Sequence, residues 1–131
     1  LIIMNRVNRF TSYGGKQNMK TNGALTYQEE KALLMYLTEI YCKAKTLMEL
    51  YEDAGADAHN TAKYVQQEVL VNLIDRTLNN CSPEARFIII HTYIRKDGND
   101  WYIPYYSDST FYRLKKNAVH EFTSCIQKLR D

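Results

Sequence analysis

The residues best suited to chemistry lie in one stretch, from Ser107 to Asn117. It holds hydroxyls, an aromatic ring, cations and an amide, and no acid occurs between Asp108 and Glu121. In a helix, short hydroxyls allow close approach to the DNA major groove, and an arginine can donate two hydrogen bonds to guanine. The candidate DNA-binding residues are Ser107, Ser109, Thr110, Tyr112, Arg113, Lys115 and Lys116, with Arg95 and Lys96 as additional phosphate contacts from the preceding element.

A second interpretation of the same stretch stays open, because charged residues often do no more than cover the solvated side of a helix. The chain would then be a non-catalytic helical interaction or scaffold module, with its last helix docked on a partner and no nucleic-acid contact. Both interpretations predict the same amphipathic helix, so the pattern alone does not choose between them.

Catalytic and metal-binding patterns do not emerge from the remaining reactive residues. The three histidines and three cysteines are scattered at positions 59, 91 and 120 and at positions 42, 81 and 125, without the spacing of metal ligands. No glycine-rich phosphate loop or nucleophile motif occurs either. We therefore expect no enzyme activity, no metal and no cofactor, and we expect His91 to be a packed or boundary residue and not a metal ligand.

The spacing of apolar residues predicts an all-α fold with four main helices that position this stretch. We expect an antiparallel pair, 26–54 and 57–79, packed on a helix-turn-helix-like pair, 83–95 and 108–129. Helix starts are marked by Thr26 with Glu29 in a capping box, and by Ser82 before Pro83. The predicted buried positions are Leu33, Leu37, Ile40, Ala44, Leu47 and Tyr51 in the first helix; Ala62, Val65, Val69 and Leu73, broadened by Leu70, Ile74 and Leu78, in the second; Phe87, Ile90 and Ile94 in the third; and Phe111, Leu114, Ala118, Phe122, Cys125 or Ile126, and Leu129 in the last.

The segment between the third and last helices is rich in aromatic residues and contains Pro104, which rules out a long regular helix there. We expect a single helical turn or an aromatic-rich turn. Trp101, Tyr102, Tyr105 and Tyr106 are predicted to wedge the last helix against the third. The last helix should begin with Ser107 as its N-terminal cap and Asp108 in its first turn.

Charge is unevenly distributed, although the net charge of the 131 residues is only +2. Residues 1–23 carry four bases and no acid, and we interpret them as a flexible basic arm. Residues 24–81 carry five bases and nine acids and form the acidic helical hairpin. Residues 82–131 carry eight bases and six acids and form the helix-turn-helix-like module. A DNA-binding end joined to a protein-binding middle would show this distribution.

Two further properties indicate the compartment. No stretch of about 18 apolar residues occurs, so we expect no membrane span. Three widely spaced cysteines without a Cys-x-x-Cys pair suit free thiols in a reducing cytosol. A cytoplasmic location is therefore the expectation.

The segment SPEARFIIIHTYIRKDGNDWYIPYYSDSTFYRLKKNAVHEF resembles the C-terminal helix-turn-helix of sigma-factor region 4 and of the ArpU-like phage and prophage transcription regulators. Similar tails occur in small mycoplasma proteins. The resemblance covers about a third of the chain and is centred on Tyr-Ser-Asp-Ser-Thr-Phe-Tyr-Arg, residues 106–113. The chain departs from the families in the middle element, where they carry an Ile-Ala-x-x-Leu type run and this sequence has residues 101–106 with Pro104.

The resemblance implies a transcription regulator in which Ser107, Ser109, Thr110 and Arg113 face DNA. It also implies that Phe111, Leu114 and Ala118 pack inward. A sigma-like factor and an associate of RNA polymerase both remain open. In either case the acidic hairpin would contact the polymerase or a second copy of the chain.

Overall fold

The computed structural model of the protein describes residues 24–55 and 61–130. Within those residues it is all-helical, with four helices packed against one another, which confirms the predicted fold class. The elements are α1 (Tyr27–Asp53), α2 (Ala62–Asn80), α3 (Pro83–Ile89), a π-helical segment (Ile90–Ile94) that continues α3, and α4 (Asp108–Arg130). None of the helices in this part of the chain is long and apolar enough to cross a membrane. The predicted basic arm, 1–23, and His59 lie outside the described residues.

Local sequence signals fix the helix starts. Thr26 and Glu29 form the predicted capping box, since the Thr26 hydroxyl accepts a hydrogen bond from the Glu29 amide and the Glu29 carboxylate accepts one from the Thr26 amide. Ser82 caps α3 and Pro83 occupies its first turn, also as predicted. α2 begins at Ala62 with Thr61 as its cap, just after the predicted start near residues 57–60, which lie outside the described residues. Each cap satisfies amide groups that have no partner within the helix.

One hydrophobic core joins all four helices, and α4 packs against each of the other three. Phe122, Val119 and Ile126 of α4 are fully buried in that core. Leu37 of α1 and Ile88 of α3 are buried with them. The last helix is therefore a central element of the fold.

The buried side of α2 differs from the prediction. Val65 and Val69 were expected inside, but they are 45% and 51% exposed, and Ala62 is exposed as well. Ile74 and Leu78 are buried as predicted, and Tyr64, Val71 and Thr77 are buried although they were not predicted to be. Tyr64 decides the orientation of the first turn, because its ring packs edge-on against Tyr51 at 6.2 Å and its hydroxyl donates to Glu52.

Two other predicted faces also need correction. In α1, Leu47 is 41% exposed, and Leu34, Thr38 and Tyr41 are buried although they were not predicted to be. After Pro83, the buried side chains are Ala85, Ile88, Ile89 and Tyr93, whereas Phe87, Ile90 and Ile94 are only partly buried. In the last helix the prediction holds for Phe111, Ala118, Phe122 and Ile126.

Candidate nucleic-acid interface

The start of α4 is closed by side chains of its own first turn. The Ser107 hydroxyl accepts a hydrogen bond from the Thr110 amide at 3.4 Å and donates to the Thr110 hydroxyl at 2.9 Å. The Asp108 carboxylate accepts a hydrogen bond of 2.7 Å from the Tyr102 hydroxyl. Ser107 is thus exposed but engaged as the cap, and Thr110 is half-buried.

Four of the predicted DNA-binding residues share one exposed side of α4. Ser109, Tyr112, Arg113 and Lys116 follow one another at steps of three, one and three residues, and all are exposed. This spacing places them on a single face of a helix with 3.6 residues per turn. We call these four residues the outer face; Asn117 extends it by one further position.

Lys115 lies to the side of the outer face. Its side chain is half-buried, and its ammonium group is 5.8 Å from the centre of the Tyr93 ring and 6.0 Å from that of Tyr112. Burial, and then the charge of Lys31, lower the pKa of Lys115. The Lys116 ammonium is 5.7 Å from the centre of the Tyr27 ring in α1.

Arg95 and Lys96, which were predicted as additional phosphate contacts, do not belong to the outer face of α4. Both are exposed in the turn that follows the π-helical segment, where Lys96 has a φ of 54° and Gly98 a φ of 96°. The Arg95 guanidinium lies 3.3 Å from the Asp97 carboxylate, which is also 2.6 Å from the His91 ring. The structure thus pairs Arg95 locally, whereas it gathers Ser109, Tyr112, Arg113 and Lys116 on α4.

The aromatic residues between the π-helical segment and α4 form turns, and they wedge the two elements together as predicted. The Tyr102 ring is stacked on Phe111 with 3.8 Å between centroids. Trp101 meets Phe111 edge-on at 5.5 Å and Phe87 at 5.4 Å, and it is stacked on His91 at 4.7 Å. This cluster fixes the first turns of α4 relative to α3.

Hydrogen bonding to Asp108, and then burial, raise the pKa of Tyr102 above its usual value, so this hydroxyl remains a neutral donor. The Tyr102 hydroxyl thus donates to Asp108, the acidic residue that directly precedes Ser109 of the outer face. Two other nearby carboxylates also have internal partners. Glu30 lies 2.9 Å from the His120 ring, and Glu121 accepts hydrogen bonds from the Ser82 amide and hydroxyl. Among the described residues, no ion pair involves Arg113 or Lys116 of the outer face.

In the part of the chain that the structure describes, no group of three or more His, Cys, Asp or Glu side chains could hold a metal ion. His91 is packed on Trp101, as expected, and pairs with Asp97, a partner that was not predicted from the sequence. Sequence analysis also missed Tyr27 and Lys31 of α1, which lie near the lysines of α4. No sequence signal identified them, because helical periodicity does not tell which helices approach one another.

Comparison with known proteins gives no match to a family model, to a curated protein or to a solved structure.

Proposed function

We propose that the protein is a DNA-binding regulator of transcription that inserts the outer face of α4 into the major groove. The observation that carries the proposal is this face itself, with a hydroxyl, a tyrosine, an arginine and a lysine exposed on the first turns of a firmly packed helix. Helices that recognise DNA bases use such a face near their N-terminus. The resemblance of residues 106–113 to sigma-factor region 4 and ArpU-like regulators supports the same function.

The residues of the outer face have different roles in this proposal. Arg113, in the second turn, donates to a guanine, and Ser109, in the first turn, allows close approach to the base edges. Lys116, one turn further along, contacts a phosphate. Phosphate contacts position the helix, whereas the contact from Arg113 supplies sequence preference.

The proposal also assigns a role to the α1–α2 pair as the protein-contacting part, toward RNA polymerase or a second copy of the chain. Large apolar side chains are exposed on both helices, with Leu50 60% and Val69 51% accessible. The proposal further includes a cytoplasmic location. It is supported by cysteines that lie far apart in the sequence without a Cys-x-x-Cys pair, and by Cys81 and Cys125, which are free thiols although their sulfurs lie 4.0 Å apart.

The same exposed apolar residues favour a second candidate function, a helical interaction module without nucleic-acid contact. In that case α4 would dock on a protein partner, together with the exposed apolar side chains of α1 and α2, and would contact no DNA. The two functions differ in what they predict for DNA.

A mobility shift with mixed genomic fragments across a salt series separates the two functions. Binding through four or five cations predicts that the logarithm of the binding constant falls against the logarithm of the salt concentration with a slope of roughly −4. Lys116→Ala should flatten that slope by about one unit. Lys128→Ala, which removes an exposed lysine near the other end of α4, is the matched control and should leave the slope unchanged. The absence of a shift at any salt concentration would refute DNA binding and favour the interaction module.

A further inference from the structure

The first turns of α1 lie directly beside the third and fourth turns of α4. The Lys116 ammonium is 5.7 Å from the centre of the Tyr27 ring. Further along both helices, the Glu30 carboxylate is 2.9 Å from the His120 ring. Both contacts join the N-terminal end of α1 to α4, and Lys116 belongs to the outer face. The N-terminal end of α1 therefore lies next to the outer face.

Lys31 extends this contact between the two helices. It follows Tyr27 by four residues and therefore lies on the same side of α1, one turn further along. After burial, the charge of Lys31 is the second cause of the lowered pKa of Lys115. The Lys115 ammonium group lies over the Tyr93 and Tyr112 rings. Lys31, Lys115 and Lys116 thus gather three cations from two helices, and we call these three residues the basic corner.

Among the described residues, no ion pair involves a lysine of the basic corner. The ion pairs that these residues form join Lys43 to Glu39, His91 and Arg95 to Asp97, and His120 to Glu30. Glu30 immediately precedes Lys31, but its buried carboxylate is turned to His120. Like charges held together without an acid destabilise a fold unless an anion binds them.

We propose that the basic corner binds the DNA backbone, with Lys31 neutralising a phosphate next to the one that Lys116 contacts, so that α1 and α4 hold the strand together. This inference rests on the proposed function. It assigns a DNA contact to α1, whereas the excess of acids in residues 24–81 had predicted that the α1–α2 pair contacts a protein. Lys116 belongs to both the outer face and the basic corner, so the two surfaces are continuous. A duplex with α4 in its major groove presents phosphates along both edges of that groove, and Lys31 lies where α1 borders α4.

Charge-preserving and charge-removing substitutions of Lys31 test the inference. We would measure binding of the full chain to a fluorescent 20-base-pair duplex by anisotropy, over salt concentrations from about 50 to 300 mM. Because each neutralised phosphate contributes about 0.9 to the slope, Lys31→Gln should flatten the slope by about that amount. Lys31→Arg should restore it. Lys43→Gln removes an exposed lysine further along α1, where Glu39 already pairs with it, and should leave the slope as it is.

The outcomes distinguish this inference from the proposed function. If the wild-type chain binds the duplex and Lys31→Gln has the wild-type slope, the basic corner does not hold phosphate and only this inference is refuted. If Lys31→Gln and Lys31→Arg lose affinity equally, the role of Lys31 is structural, and the inference is also refuted. If the wild-type chain does not bind DNA at the lowest salt concentration, the proposed function and the phosphate site fall together.

Discussion

The packing of Phe111 gives the sharpest test of how α4 is oriented. Its side chain is 4% exposed, stacked on Tyr102 and in edge contact with Trp101. Truncation of a buried phenylalanine to alanine costs about 3–5 kcal/mol through lost burial and the cavity that remains. Small domains hold only about 5–15 kcal/mol in total, so Phe111→Ala should remove much of the stability of this fold.

The neighbouring residue is the matched control. Tyr112 is 58% exposed and touches Phe111 and Tyr102 only from the outside, at 5.4 and 6.2 Å between ring centres. Aromatic contacts of this kind contribute about 0.5–1.5 kcal/mol. Because Tyr112 is largely solvated, Tyr112→Ala should cost no more than about 1 kcal/mol.

Urea denaturation of both variants measures the difference. Trp101 is the single tryptophan and lies 5.5 Å from Phe111, so its fluorescence reports on this cluster while circular dichroism follows the helices. If Tyr112→Ala is the more damaging substitution, α4 is rotated by about 100°, and the outer face is assigned to the wrong residues. If both costs are small, α4 is not docked on the core, which would favour the interaction module.

Three other predictions concern specificity, capping and pH. Arg113→Ala should weaken binding to a preferred DNA site by about 1–3 kcal/mol more than binding to random DNA, as measured by competition, and equal losses would make Arg113 a phosphate contact. Ser82→Ala removes the cap of α3 and a partner of Glu121, and should lower the free energy of unfolding by about 0.5–2 kcal/mol in urea, a prediction that an unchanged midpoint contradicts. Burial, and then the hydrogen bond to Asp75, raise the pKa of Tyr41, so the folded state keeps a proton that the unfolded state loses above about pH 10. Stability should therefore fall above that pH, and less so in Tyr41→Phe; identical thermal melts of the two proteins between pH 9 and 11 would count against this.

Helix starts and the inner side of α4 could be predicted because their signals are local. Thr26 and Ser82 act through hydrogen bonds within a few residues, which a sequence shows directly. In α4, Phe111, Ala118 and Phe122 recur at helical spacing on one side and polar residues lie on the other, so only one orientation buries them.

The faces of α2 and α3 could be predicted only in part because the sequence offers more than one apolar side. In α2, two stripes were predicted to be buried; Ile74 and Leu78 of one are buried, whereas Val65 and Val69 of the other are exposed. Residues 87–90 are four consecutive apolar residues without any period. The π-helical segment, closed by a hydrogen bond from the Arg95 amide to the Ile90 carbonyl, then changes the rotation of the following residues.

The candidate site shows the same division between local and long-range information. The outer face lies on one helix, so its spacing was sufficient to predict which residues share a side. The basic corner joins α1 to α4 across more than eighty residues of sequence. Its assembly depends on how two distant helices approach, which no local pattern contains.

The central position of α4 has a consequence for how its recognition properties could diverge. One side of this helix is buried in the core, while Ser109, Arg113 and Asn117 on the other side are exposed and are not part of the core. Substitutions at exposed helix positions usually change stability by no more than about 0.5 kcal/mol. If α4 binds DNA as proposed, substitutions at these positions would change the DNA preference while the fold stays intact. A library randomised at the same three positions would sample new binding preferences without a matching loss of folded protein.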